Sequence, residues 1–286
     1  MRIRVRHETS YRFSEPVLLE THRIRLRPRA DPGIRIESYS LEVTPACARR
    51  WHLDAVGNAV ASCVFEGPAF ALDVRASADV ETTARDPYDF LLDAGAVEIP
   101  VRFDPDDAQA LVVCRARRRP HPDPIGELAA RVLGASGPGT VAFVGALCRE
   151  VHGLVRSEKR VDGSARPPRR TLTLGHGACR DVTVLLADAL RSVGLPARFT
   201  SGWFAAPGAP EEPDLHAWTE VYLPGAGWRG FDATTGLAVD ERYVPLAASV
   251  RPAGAAPVTG TFRGSAKATL TSRLSIREVL VGEEPT

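Results

Sequence analysis

Thr173-Leu-Gly-His-Gly-Ala-Cys179-Arg-Asp-Val-Thr-Val-Leu-Leu-Ala-Asp-Ala-Leu-Arg-Ser-Val-Gly194 sets a glycine-flanked cysteine directly before an amphipathic segment. Val182, Leu185, Leu186, Ala189 and Val193 recur at i, i+3, i+4, i+7 and i+11, which is one face of a helix rather than of a strand. Gly194 supplies a stop signal, and Pro196 lies just beyond it. A thiol in the first turn of such a helix sits beside unpaired backbone N–H groups and the positive end of the helix dipole, both of which favour thiolate over thiol. A lone cysteine is as readily explained by simple burial. The reading therefore depends on whether the rest of the chain supplies a base.

Downstream, Leu195 to Phe204 reads as a strand, and a proline-punctuated loop from Ala205 to Asp214 separates it from the next. In Leu215-His-Ala-Trp-Thr-Glu-Val-Tyr-Leu223 the residues alternate. Leu215, Ala217, Thr219, Val221 and Leu223 share one face, and His216, Trp218, Glu220 and Tyr222 the other. Pro224-Gly-Ala-Gly227 reads as a turn and Trp228-Arg-Gly-Phe-Asp232 as the returning strand of a hairpin. With a loop of three or five residues, 222 opposes 228, and His216 then has Asp232 as its diagonal neighbour on the same face. An even loop would turn Asp232 away. The odd loop is the expectation.

A cysteine nucleophile needs an imidazole to take its proton, and that imidazole needs an acceptor on its other nitrogen. Cys179, His216 and Asp232 have the residue types and the chain order for this. Spacing alone leaves a catalytic triad and an accidental order both open. His176 adds a rival, because with Cys179, His216 and Asp232 it makes four potential zinc ligands. Structural zinc sites draw a close ligand pair from each of two segments, and the side carrying His216 and Asp232 has no such pair. The expectation is no metal and no cofactor.

Upstream, Arg2 to about Thr83 follows a period of two, broken by turn signals at Asp31-Pro-Gly and Gly57-Asn, and predicts a small antiparallel sandwich. Asp86 to Pro124, rich in proline and charge, reads as a linker crossing the surface. Helices are expected over Pro124 to Leu133 and Val141 to Val155, followed by an exposed polar loop from Arg156 to Thr171. After the hairpin the pattern is irregular, crossing through Arg251 to Gly264, until one or two closing strands within Ala266 to Val281. These segments divide the 286 residues into an N-terminal sandwich, 1–100, and a catalytic part, 101–286, that carries the closing strands.

Composition excludes several classes of function. The formal charge is +1, so no global field draws the chain to nucleic acid or membrane. The runs Arg115-Ala-Arg-Arg-Arg119 and Arg166-Pro-Pro-Arg-Arg170 lack interleaved aromatics and read as solvated surface. Cys47, Cys63, Cys114, Cys148 and Cys179 are odd in number and scattered, and specify neither a disulfide framework nor a zinc knuckle. The N-terminal residues lack a signal-peptide core, and no stretch approaches the roughly 20 apolar residues of a membrane helix. The expectation is a cytoplasmic protein that takes a peptide or protein substrate, with no nucleic-acid or membrane partner. Its oligomeric state is left open.

Three blocks carry a resemblance: Gly175-His-Gly-Ala-Cys179-Arg-Asp, then Arg191-Ser-Val-Gly-Leu-Pro-Ala-Arg198, then His216 through Asp232-Ala-Thr-Thr-Gly236. Together they resemble the core of the bacterial transglutaminase-like superfamily. The segment around His7-Glu-Thr-Ser-Tyr11, Arg25-Leu-Arg-Pro28 and Gly57-Asn58 is similar to the β domain that precedes this core in one bacterial branch. The resemblance implies an α+β fold, with a sandwich followed by a papain-like core of a helix packed on an antiparallel sheet. It implies a triad at Cys179, His216 and Asp232 and acyl transfer through a thioester.

Members of this superfamily include cross-linking enzymes as well as peptidases and amidases. Hydrolysis is favoured here, because transfer demands a site that excludes water and recognises a donor amine. Transamidation and a non-catalytic binding module on the same fold are the alternatives. Two departures stand out. Asp232-Ala-Thr-Thr235 replaces the usual Asp-Pro-Thr-Asn, and Val250-Arg-Pro-Ala-Gly254 stands where the branch has an Arg-Asp-Tyr element. An oxyanion hole would use the backbone N–H of Cys179, with Trp203, His176 and the 156–171 loop as candidates for the second donor. Trp218 is expected either to wall the cleft or to pack within the sheet.

Overall fold

The computed structural model describes residues 1–83, 86–117, 121–160, 163–206 and 214–279. The proline-rich segment 207–213, part of the 156–171 loop, the end of the Arg115–Arg119 run and the last stretch of the expected closing strand lie outside them.

The alternation of the first 83 residues becomes strands β1 (Arg2–Leu19), β2 (His22–Ile24), β3 (Ile34–Thr44), β4 (Cys47–Leu53), β5 (Ala59–Phe65) and β6 (Pro68–Thr82). Along β1, Ile3, Val5, His7 and Thr9 are buried, as a strand covered on one face requires. The segment read as a linker is more structured than expected. It folds into a 3-10 turn and two short helices, α1 (Pro105–Ala110) and α2 (Val112–Arg115), with Ala96, Leu111 and Cys114 buried. The prolines there start structure rather than prevent it. Pro105 occupies the first helical position, where its missing N–H leaves nothing unpaired, and the Asp104 side chain accepts from the N–H of Asp107 at 2.8 Å.

Helices α3 (Pro124–Ser136) and α4 (Thr140–Leu154) follow as expected. A short strand β7 (Arg156–Ser157), helix α5 (Pro168–Leu174) and a short strand β8 (His176–Gly177) lead into α6 (Cys179–Ser192). The remaining strands are β9 (Ala197–Phe204), β10 (His216–Leu223), β11 (Gly227–Asp232), β12 (Leu237–Ala238), β13 (Tyr243–Ser249), β14 (Val258–Thr259), β15 (Phe262–Arg263) and β16 (Ala268–Glu278).

Three main sheets result. One has the order β15-β1-β6-β3 with β16 also on β1, the second is β14-β2-β5-β4, and the third is β12-β11-β10-β9-β13. The first two form the sandwich. The expected division left the closing strands with residues 101–286, but β16 instead runs antiparallel along β1 from Ile3↔Glu278 to Phe13↔Ala268. It covers an edge that β1 would otherwise leave unpaired. The chain is α+β, as expected.

The third sheet lies between two cores. On one side Leu128, Phe143, Leu147, Val182, Leu185 and Leu186 from the helices pack against Val221, Leu223 and Phe231. On the other, Trp203, Val244 and Leu246 join Ile3, Val5, Leu72 and Val74 of the sandwich. Strands β9 and β10 are thus covered on both faces, and the polar face read from residues 216–222 does not look out on water. Trp203 and Asn58 are among the side chains that bolt the sandwich to this sheet. Trp203 Nε1 donates to His7 Nδ1 at 3.2 Å, and the Asn58 amide exchanges hydrogen bonds with the Ala248 backbone at 2.8 and 2.9 Å. Strand β13 was not anticipated. Tyr-Val-Pro-Leu-Ala-Ala-Ser has no alternation because both faces are covered, and its register shifts between Pro245 and Ala247. Among the described residues no helix is long and apolar enough to cross a membrane.

Candidate active site

The glycines around the cysteine have separate physical jobs. Gly175 ends α5 in a left-handed conformation, φ 66°, its N–H donating to the carbonyl of Thr171. A Cβ at Gly177 would stand 3.0 Å from Cβ of Asp181 and 3.1 Å from Cγ2 of Thr171, so the chain passes closely under the helix start. Ala178 is the extended residue before α6, and Cys179 is the first helical residue. Its backbone N–H has no intrahelical carbonyl to bond and remains available at the positive end of the dipole.

The side chain of Asp181, fully buried, holds this turn together. Oδ2 accepts from the N–H of Ala178 at 3.0 Å, and Oδ1 accepts from Arg160 Nη2 at 2.6 Å and the N–H of Arg166 at 2.7 Å. The loop read as exposed is therefore tied to the base of α6. At the far end the helix closes as expected. Leu195 N–H donates to the carbonyl of Leu190 and Gly194 N–H to that of Arg191, with Gly194 at φ 88°.

Hairpin β10–β11 has the odd loop. Tyr222 opposes Trp228 and Leu223 opposes Gly227, leaving three residues in the turn. Asp232 then falls on the face of His216, and His216 Nε2 lies 2.7 Å from Asp232 Oδ2. Cys179 lies close enough to the same imidazole for the two to act on each other's charge. With Nε2 turned to Asp232, Nδ1 is the nitrogen left for the sulfur. The structure thus brings Cys179, His216 and Asp232 together. Beside Cys179, Phe199, Ala217, Ala247 and Ala255 form a small apolar wall.

Asp232 is buried under four hydrogen bonds. Oδ2 accepts from His216 and from the Tyr243 phenol at 2.9 Å, while Oδ1 accepts from the N–H and hydroxyl of Thr234 at 2.8 and 2.6 Å. Burial opposes its ionisation, but the hydrogen bonds of His216 and Thr234 outweigh it and hold the carboxyl below its ordinary value. Burial likewise opposes charge on His216. The hydrogen bond to Asp232 and the nearby Cys179 prevail, and its pKa is pushed up to about 10.

Sequence reasoning missed Tyr243, Thr234 and Phe204. Thr234 lay inside the Asp232 block and had a visible signal, a hydroxyl two residues after the acid. Tyr243 and Phe204 had none: Phe204 meets His216 because β9 pairs with β10, and Tyr243 because β13 in turn pairs with β9.

Trp203 is overturned as an oxyanion donor, because its N–H is spent on His7 deep in the shared core. His176 Nδ1 is bonded to Glu158 Oε2 at 2.7 Å. Trp218 is 1% exposed and packs beside His216, ring centroids 6.4 Å apart and planes tilted by 31°, rather than lining an open cleft. It fits because both neighbouring strands present glycine. A Cβ at Gly202 would strike its ring, and one at Gly230 would stand 3.2 Å from its Cδ1. Among the described residues no cluster of three or more histidine, cysteine or acidic side chains could hold a metal ion. All five cysteines are free. Burial pushes the thiols of Cys63, Cys114 and Cys148 up, that of Cys63 to about 12.

Residues 3–81 match the bacterial transglutaminase-like N-terminal region, and residues 127–233 match the transglutaminase-like superfamily. The core of this chain is transglutaminase-like. An uncharacterized protein of Mycobacterium leprae is 25% identical over 92% of this chain and 94% of its own length. One from Mycobacterium tuberculosis is also 25% identical, covering 91% and 87%. Among solved structures, a proposed cysteine protease of Cytophaga hutchinsonii matches with a TM-score of 0.74 at 21% identity, over 100% of this chain and 93% of that one. That likeness concerns the fold. The transglutaminase-like core, with the cysteine, histidine and aspartate of its motif blocks in contact, supports a cysteine-based enzyme in general.

Proposed function

We propose that this transglutaminase-like protein transfers acyl groups from amide bonds through a thioester on Cys179, and that it hydrolyses a peptide or isopeptide-like bond. The observation that carries the reading is His216 held 2.7 Å from the buried Asp232 and set beside Cys179, the first residue of α6.

In this reading the sulfur of Cys179 attacks the amide carbonyl carbon, and the carbonyl electron pair moves onto oxygen. The imidazolium of His216 is the counter-ion for the sulfur's negative charge before the attack. The free N–H of Cys179 donates to the developing oxyanion. Collapse expels the amine, which leaves with the proton from His216. Neutral His216 then takes a proton from water as the water attacks the thioester. The carboxylic acid is released and Cys179 is restored beside the imidazolium. Asp232 stays ionised throughout and keeps Nε2 in place.

The experiment is alkylation by iodoacetamide at mildly acidic pH, with the labelled cysteine identified by peptide mapping. Selective reaction at Cys179, lost in His216→Ala, is the expected result. Labelling no faster than at the other four cysteines would instead favour a non-catalytic module. Hydrolysis and transamidation separate on glutamine-containing and isopeptide-linked peptides, by following amine or ammonia release with and without an added primary amine. Incorporation of that amine would point to transfer.

A further inference from the structure

We propose that Tyr243 is a positioning residue for the triad. Its phenol shares Asp232 Oδ2 with His216 and so limits how tightly the imidazolium holds its proton. The inference rests on the acyl-transfer reading above and extends it to a residue outside the three motif blocks.

Oδ2 of Asp232 accepts at 2.9 Å from Tyr243 and at 2.7 Å from His216 Nε2, whereas Thr234 occupies Oδ1. A carboxylate oxygen that already accepts a phenol hydrogen bond offers a weaker negative potential to a second donor. That restraint has a chemical purpose. His216 must hold a proton beside the sulfur and then release it to the departing amine, and an undiluted buried carboxylate would oppose the release.

The phenol is fixed in place. Tyr243 is 3% exposed, its ring stacks on Phe204 with centroids 4.1 Å apart and planes 19° off parallel, and Trp218 meets it edge-on at 5.3 Å. Its hydroxyl therefore cannot swing away from Asp232 without unpacking the aromatic group beside His216. Burial and the Asp232 charge keep the phenol protonated, so Tyr243 acts as a donor and not as a base. The titratable groups around the pair come from three elements and from the β12–β13 connection, which carries Asp240. Asp232 on β11 and Cys179 on α6 face His216, Asp232 and Asp240 face Tyr243, and Cys148 on α4 faces Asp232. Asp240 is itself paired with Arg242.

The test is a 15N NMR titration of the histidine ring nitrogens in the full-length protein, wild type against Tyr243→Phe, with His216→Gln to assign the signal. The expected result is a rise of roughly half a pH unit or more in the His216 inflection. Global incorporation of 3-fluorotyrosine, a stronger hydrogen-bond donor, should move the inflection the opposite way, and it covers the case in which Tyr243→Phe fails to fold. An inflection that stays still, or moves against these directions, overturns the proposal. Those readings do not need a reactive thiol. Cys179 alkylating no faster than the other cysteines would sink the acyl-transfer reading by a separate observation.

Discussion

The indole N–H of Trp203 on β9 donates to Nδ1 of His7 on β1, 3.2 Å away, and so joins the first strand of the chain to the strand beside His216. His7 is 1% exposed, and its other nitrogen lies 3.3 Å from the hydroxyl of Ser272. Protonating Nδ1 would set an N–H against the indole N–H in the middle of the shared core. Burial accordingly lowers the His7 pKa from 6.5 to about 4.

This predicts acid sensitivity with a definite window. Above pH 6.5 His7 is neutral in both folded and unfolded chains. Between 6.5 and 4 the unfolded chain binds a proton that the folded one refuses, so stability falls as pH falls, by about 3 kcal/mol in total. Urea midpoints at several pH values through this window should fall steeply for the wild type and less steeply for His7→Gln. Equal slopes would remove His7 as the cause.

Asp232→Asn should slow turnover by roughly a thousandfold while the protein still folds, because the amide keeps the volume but no longer sustains the imidazolium. The sign for His216 runs opposite to that for His7. Its folded pKa is raised, so its contribution to stability is complete below 6.5 and is lost as pH rises towards 10. Removing the carboxylate should lower that upper limit. The alkaline inflection of iodoacetamide alkylation would then move down in Asp232→Asn, and an unchanged profile would count against the pairing.

Asp181→Ala leaves the N–H of Ala178, the N–H of Arg166 and the guanidinium of Arg160 without their shared acceptor. A cost of roughly 3 kcal/mol is expected for such a buried charged partner. Thermal denaturation should show it, and Cys179 alkylation should slow even though Asp181 is absent from the triad. Wild-type labelling kinetics in the variant would place the network outside the site's control.

Gly202→Ala should be more damaging than Gly194→Ala, although only Gly194 has a positive φ. At Gly202 a methyl meets the Val244 carbonyl and the Trp218 ring, while at Gly194 it meets open space. Overpacking of this kind costs roughly 1–3 kcal/mol and would displace the Trp218 ring packed beside His216. The left-handed backbone at Gly194 costs about 1 kcal/mol. The reverse order in denaturation midpoints would contradict this account.

Much of the site was legible before folding. The helix period after Cys179, its stop at Gly194 and the three-residue hairpin loop are local signals, each set by side-chain spacing or by a glycine in a required conformation. Because side chains alternate along a strand, an odd loop alone decides that Asp232 shares the face of His216. Other features are not local. Strand β13 hid because both its faces are covered, and with it hid Tyr243. Which sheet β16 would complete depends on β1, more than two hundred residues away in sequence. The first blocks of sequence thus determined the helix after Cys179, the hairpin and the three residues that come together at the candidate site. Tertiary structure alone decided that Tyr243 would share the aspartate, that Trp203 would face away from the site and that the last strand would close the first sheet. Those outcomes follow from which buried surfaces must cover one another, and no local spacing encodes that.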